Sequence, residues 1–307
     1  MQPDATVAVR LGHVTKTFGR HTAVDDLNLE VPAGSIYGFI GPNGSGKTTT
    51  IRMILHIFLP DRGTIEVLGT ESTRAANDHI GYLPEERGLY KKMSVNRVLA
   101  YYAALKGLTG RGVQEQIDFW LRKMELEKWG EKKVEALSKG MAQKIQFISA
   151  VIARPKLLIL DEPFSGLDPV NLETLRAAIL ELRRQGTTII FSTHDMGVAE
   201  TMCDFIFMIC RGKKVLDGTL ESIQSTYGSN TLRFRLANPR ALEQISGARL
   251  LRDFGQIQDV HYDGDPQSLL HLLMQKTRVD LFEISRPSLH DIFVRIAGDK
   301  NGGARHG

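Results

Sequence analysis

Gly41-Pro42-Asn43-Gly44-Ser45-Gly46-Lys47-Thr48, followed by Thr49, is the stretch that decides how the rest of this chain is read. Just before it, Ser35–Ile40 is a short apolar run of strand length. Just after it, Thr48–Phe58 carries apolar residues at helical spacing. A glycine-rich turn ending in Lys-Thr between a strand and a helix fits a phosphate-binding loop. Backbone N–H groups can close around a phosphate there, at a helix N-terminus whose dipole favours anions. In such a loop Lys47 reaches the terminal phosphates and the Thr48 hydroxyl ligates Mg²⁺.

Farther along, Leu157-Leu158-Ile159-Leu160-Asp161-Glu162 is an apolar strand ending in two carboxylates. Strands of open α/β sheets present their carboxyl ends to ligands. Asp161 is therefore expected in the Mg²⁺ shell and Glu162 as general base on the attacking water. Alone, an Asp-Glu pair after a strand serves equally well as a helix cap. Downstream of a phosphate loop it reads as the second half of a nucleotide site.

Around these motifs the pattern is α/β. Val7–Val14 and Asp26–Val31 read as strands before the Pro32-Ala33-Gly34 turn, and Thr64–Leu68 as another. Val95–Ile152 is helical in pattern. Leu157–Leu160 and Thr187–Ser192 read as buried parallel strands flanking a helix at Val170–Gln185. Beyond Thr226, strands are expected at Asn230–Ala237 and Val279–Ser285, and helices at Pro239–Ile245, Gln267–Gln275 and Pro287–Ile296. Residues 299–307 read as a disordered tail.

Composition narrows the classes. The 307 residues are 42% hydrophobic and 24% charged, as in ordinary globular proteins. Cys203 and Cys210 show no metal or redox spacing and are read as reduced packing residues. Met1–Arg10 contains Asp4 and no apolar stretch of leader length. Leu157–Leu160 and Phe205–Cys210 fall far short of the roughly 20 residues a membrane-spanning helix needs. The net charge of +4 is mild. Arg122, Lys123, Lys128, Lys132 and Lys133 are interleaved with Glu125, Glu127, Glu131 and Glu135, which reads as a solvated face and argues against nucleic-acid binding.

Three further segments resemble the ABC ATPase family. Leu137-Ser138-Lys139-Gly140-Met141 stands where the family has its signature loop, and Ser138 precedes Asp161 by 23 positions. Phe164-Ser165-Gly166-Leu167-Asp168-Pro169 is similar to the D-loop, and His194 in Ser192-Thr193-His194-Asp195 to the switch histidine. The resemblance runs from Val7 to Thr219. It implies a P-loop NTPase core, with a parallel sheet, an N-terminal antiparallel β subdomain and a helical insertion at about 86–155. It implies ATP and Mg²⁺ as ligands, Ser138 and Gly140 as contacts to ATP on a second subunit, and catalytic roles for Lys47, Glu162 and His194. The implied assembly is a head-to-tail dimer, with itself or a paralogous ATPase, beneath an integral membrane permease at the cytoplasmic face of the cell membrane.

Two positions depart from the family pattern. Lys139 and Met141 replace glycine and glutamine in the signature, and Lys139 faces either phosphate or solvent. In Gly81-Tyr82-Leu83-Pro84-Glu85-Glu86-Arg87, Glu85 stands where the family has a Mg²⁺-side glutamine. Phe18, in Lys16-Thr17-Phe18-Gly19, matches the ring that stacks on adenine and reads otherwise as a core residue. The first domain is expected over 5–225. A small α+β domain over 226–298 resembles the accessory domain of ABC-2-type exporter ATPases. Two other classes are disfavoured. Only 91 positions separate Lys47 from Ser138, too few for the coiled coil of DNA-repair ATPases, and one cassette argues against a translation factor.

Overall fold

The computed structural model describes residues 7–71, 78–86, 88–227 and 231–302. The chain forms two compact units, Met1–Thr219 and Leu220–Gly307. The first opens with β1 (Val7–Phe18), β2 (His21–Pro32), β3 (Ile36–Ile40), α1 (Lys47–Ile54), β4 (Arg62–Val67), β5 (Thr70–Glu71) and β6 (Ile80–Leu83). The helices α2 (Val95–Leu105), α3 (Arg111–Lys123) and α4 (Lys139–Val151) follow. The unit closes with β7 (Leu157–Asp161), α5 (Pro169–Arg184), β8 (Thr188–Thr193), α6 (Met196–Met202), β9 (Phe205–Cys210) and β10 (Lys213–Gly218).

A six-stranded sheet in the order β10-β9-β3-β8-β7-β6 organises this unit, parallel except for β10. Every residue of β3, β7 and β8 is buried, which is why their sequences are apolar without alternation. Successive residues serve opposite faces. Leu158, Leu160, Ile189 and Phe191 join a core with α2–α5, whereas Leu157, Ile159 and Ile190 join one with α1 and the antiparallel sheet β2-β1-β4-β5. In-register pairing of Ile40 with Thr193 and of Asp161 with Ser192 brings the carboxyl ends of β3, β7 and β8 to one rim.

Helix ends follow local chemistry. Ser94, Ser138, Asp168 and Asp195 cap α2, α4, α5 and α6 by accepting backbone N–H groups. Helix α1 stops at Ile54, short of the expected Phe58. His56 adopts a φ of 55°, and the Ile57 and Phe58 N–H groups both turn back to the Arg52 carbonyl. Cys203 and Cys210 are free thiols, and Cys203 Sγ packs where a Cβ on Gly38 would sit. Lys123 departs from the solvated face expected of its neighbours. Its ammonium pairs with Glu181 and lies over the Phe119 and Trp120 rings.

The second unit comprises α7 (Leu220–Thr226), β11 (Thr231–Leu236), a 3₁₀ turn at Pro239–Gln244, β12 (Ala248–Asp253), β13 (Gln258–Tyr262), α8 (Pro266–Lys276), β14 (Val279–Ser285) and α9 (Leu289–Gly302). Its antiparallel sheet runs β12-β13-β11-β14 over a core of Leu232, Phe234, Val260, Leu269 and Leu273. Three expectations shift. The boundary falls after Thr219, so α7 belongs here and not to a domain ending at 225. The helix expected at Pro239–Ile245 is a 3₁₀ turn, begun by Asn238 and Pro239. Helix α9 extends to Gly302, past the start expected for the tail at 299, and residues 303–307 lie outside the described residues, as do Arg87 and Asn230. No helix among the described residues is long and apolar enough to cross a membrane.

Candidate active site

The rim formed by β3, β7 and β8 opens into a cavity of about 440 Å³, lined by Phe18, His21, Ala23, residues 43–49, Glu85, Asp161 and Glu162. The phosphate loop forms one wall. A Cβ on Gly41 would lie 2.2 Å from the Ile209 carbonyl oxygen, and one on Gly46 would lie 2.6 Å from that of Ala23. Both glycines also have positive φ, at 149° and 113°, so no other residue fits this curl. The loop is tied down by Ser45 N–H to Pro42 O at 3.2 Å and by Gly212 N–H to Ser45 O at 2.9 Å.

Lys47 sits at the first position of α1, buried, and donates to the Gly41 and Pro42 carbonyls at 2.7 and 3.1 Å. Burial pulls its ammonium pKa down, while Glu162, Asp161 and Glu85 hold it up. The cavity therefore has a cation at its floor facing three carboxylates across it.

Asp161 is buried at the end of β7 and accepts a hydrogen bond from the Ser192 hydroxyl. Glu162 follows in the left-handed region at φ 50°. Its N–H reaches Ser192 O at 3.2 Å and Ser192 Oγ at 3.1 Å. That turn lets the carboxylate meet His194 Nδ1 at 3.0 Å. Ser192 thus holds the Asp161 carboxylate and the Glu162 backbone. In the sequence this serine carries no signal, because its role depends on the register partner that the sheet gives it.

The groups present suit a nucleotide and a hard cation. Ser45 Oγ is buried without a hydrogen-bond partner, as a loop built to meet phosphate requires. Thr48, Glu85 and Asp161 line the same cavity with oxygen donors, the type that suits Mg²⁺. The described residues hold no cluster of three or more His, Cys, Asp or Glu that could bind a metal unaided. A cation here would share its shell with phosphate and water. Phe18 is 44% exposed, edge-on to Phe58 at 5.4 Å, and so presents a ring to the cavity instead of serving the core.

Ser138 and Gly140 are not in this cavity. They lie at the N-terminus of α4, where Ser138 Oγ accepts from Met141 N–H at 3.3 Å and keeps its hydroxyl hydrogen to donate. Of its two options Lys139 takes solvent: the side chain is exposed. Its Nζ lies over Gly166 of the same chain, 2.6 Å from where a Cβ would be.

Comparison with known proteins agrees with this geometry. Residues 24–165 match the family model described as ABC transporter, and residues 218–297 match the ATP-binding protein DrrA1-3-like C-terminal domain. The chain is 42% identical over 291 residues to YhaQ of Bacillus subtilis, an uncharacterized ABC transporter ATP-binding protein, spanning 94% of this chain and 98% of that one. It is 33% identical over 298 residues to Nod factor export ATP-binding protein I of Sinorhizobium fredii, spanning 95% and 86%. A solved ATP-binding subunit of an ABC transporter superposes with a TM-score of 0.68 at 30% identity, covering 73% of this chain and 94% of that one. The chain belongs to the ABC transporter ATP-binding proteins: it is an ATP-binding subunit whose ATPase activity is coupled to transport.

Proposed function

We propose that this subunit drives an ABC-2-type exporter, with Mg²⁺·ATP held in the cavity beside β3, β7 and β8. The observation that carries the reading is the strand register that sets the phosphate loop, Glu85, Asp161 and Glu162 around one cavity, with His194 against Glu162. Lys47 and the loop residues Gly41, Pro42, Asn43, Gly44, Ser45, Gly46, Thr48 and Thr49 hold the phosphates, and Phe18 stacks on the base. Thr48, Asp161 and Glu85 hold Mg²⁺, which neutralises phosphate charge when bound. Glu162 takes the proton of the attacking water, and His194 orients it. Ser138 and Gly140 meet the γ-phosphate on a second copy or a paralogue, so ATP closes a head-to-tail dimer and hydrolysis opens it. Export is supported by the likeness of residues 218–297 to the DrrA1-3-like domain and by the Nod factor export relatives.

The permease partner is assigned to an apolar cleft of about 400 Å³ beside Glu85, lined by Leu55, Ile57, Tyr82, Leu89, Tyr102 and Leu105 among others. Ile57 and Leu105 are 55% and 59% exposed there, a contiguous apolar surface that a membrane subunit at the cytoplasmic face would cover. In detergent the full chain should copurify with an integral membrane protein that raises its ATPase rate. Leu105→Asp should abolish that association and leave ATP binding unchanged, because the side chain already faces solvent. Copurification with DNA or ribosomes in place of a membrane protein would overturn the reading.

Every cavity residue lies in the first unit. Ending the chain after Thr219 is therefore expected to keep ATP affinity within about twofold of the full chain, the scatter expected when no contact is removed. Loss of ATP binding by a truncated protein that still melts cooperatively would show that the second unit contributes to the site.

A further inference from the structure

Helix α4, capped by Ser138, is buried along most of its length, yet it carries polar side chains on its inner face. Gln143 and Gln146 are only 5% and 4% exposed and stand three residues apart, so they share one side of the helix. A buried amide is costly unless its hydrogen bonds are made. Both are made to main-chain carbonyls of the active-site loops. Gln143 Nε2 donates to Pro163 O at 3.0 Å, the residue directly after Glu162. Gln146 Nε2 donates to Glu86 O at 3.2 Å and Pro84 O at 3.4 Å, the carbonyls on either side of Glu85. Strand β6 has ended at Leu83, so the backbone here has left the sheet that held it. Between buried Ile145 and Phe147, an apolar residue would satisfy packing at 146. An amide there serves the loop.

We propose that Gln146 is a positioning residue for Glu85. It fixes the two carbonyls flanking Glu85 to the helix whose N-terminus is Ser138, so the height of the Glu85 carboxylate over the phosphate loop follows the position of α4. The same amide also lines the apolar cleft assigned to the permease, which places it between three surfaces: that cleft, the cavity and the α4 terminus. This rests on the reading of Glu85 as a Mg²⁺-side residue. Partners that orient metal ligands are worth about 10–100-fold in metal affinity or activity.

The test measures Mn²⁺ affinity by electron paramagnetic resonance on the full chain with a non-hydrolysable ATP analogue. Gln146→Leu keeps the volume and removes the donor. It is expected to weaken Mn²⁺ binding about tenfold, with metal-free nucleotide affinity unchanged. In a Glu85→Ala background the same substitution should add nothing, because its effect runs through that carboxylate. If Gln146→Leu does not fold, Gln146→Met, which keeps the length without a donor or a charge, is read the same way. A full tenfold loss persisting without Glu85, or Mn²⁺ affinity unaltered by either variant, would overturn the link while leaving Glu85 at the metal. Mn²⁺ affinity unaltered by Glu85→Ala alone would instead remove Glu85 from the metal, and the proposal with it.

Discussion

Glu162→Gln is expected to cut ATP turnover by about 10²–10⁴-fold, the usual cost of losing a positioned general base, while ATP binding persists. The geometry makes this substitution nearly isosteric. The Glu162 backbone is held by two bonds to Ser192, and the amide can still meet His194 Nδ1 across the 3.0 Å gap. What is lost is the basic oxygen, along with one of the three negative charges facing Lys47. Single-turnover hydrolysis and nucleotide binding, measured on the same preparation, separate chemistry from affinity. A Glu162→Gln protein turning over at near the parent rate would remove Glu162 from the role of base.

Ser138→Arg should abolish ATP-driven dimerisation of the Glu162→Gln protein. Ser138 is the capping residue of α4, and in the proposed dimer its hydroxyl and the Gly140 N–H would meet the γ-phosphate at that helix N-terminus. Filling it with a long side chain removes one charge-assisted hydrogen bond per site. That amounts to about 1.5–3 kcal/mol, or about 10–100-fold in the dimer constant at each of two sites. Loss of the cap itself costs about 1 kcal/mol of stability, so melting temperature is recorded alongside size-exclusion chromatography with ATP. Lys139→Gly is the contrast. Its ammonium lies over Gly166 of its own chain, so removing it should leave dimer closure intact. Equal dimerisation of Ser138→Arg and its parent would mean that this loop does not read ATP across subunits.

The residues that announced themselves in the sequence are those whose chemistry depends on neighbours along the chain. The phosphate loop is one, because its glycines, lysine and threonine must be consecutive to curl around an anion. The strands β3, β7 and β8 are another, because burial on both faces forces an unbroken apolar run. What stayed hidden depends on partners distant in sequence. Ser192 matters through its pairing with Asp161, and Gln146 through Pro84 and Glu86. Strands β12 and β13 gave no pattern. In β12 all but the first residue is exposed, and in β13 the buried Gln258 and Asp259 break the apolar alternation. Asp259 is tolerated inside because Arg233 pairs with it at 2.8 Å and Arg252 lies 4.0 Å away. The domain boundary was misplaced for a similar reason: α7 is amphipathic and short, and nothing local says which core takes Ile223.

The position of β3 in the sheet has a consequence for synthesis. Both of its neighbours, β8 and β9, are made long after it, with Ile36 waiting for Ile189 and Tyr37 for Phe205. At about 5–20 residues per second, translation leaves the phosphate-loop strand without its hydrogen-bonding partners for roughly 8–30 s. Throughout that interval Tyr37 and Phe39 have early partners in β1, β2 and α1, whereas Ile36 waits for the core it joins with β7 and β8. The ATP site is therefore a late product of translation: its rim can close only after the strand beginning at Thr188 has emerged to lie between β3 and β7.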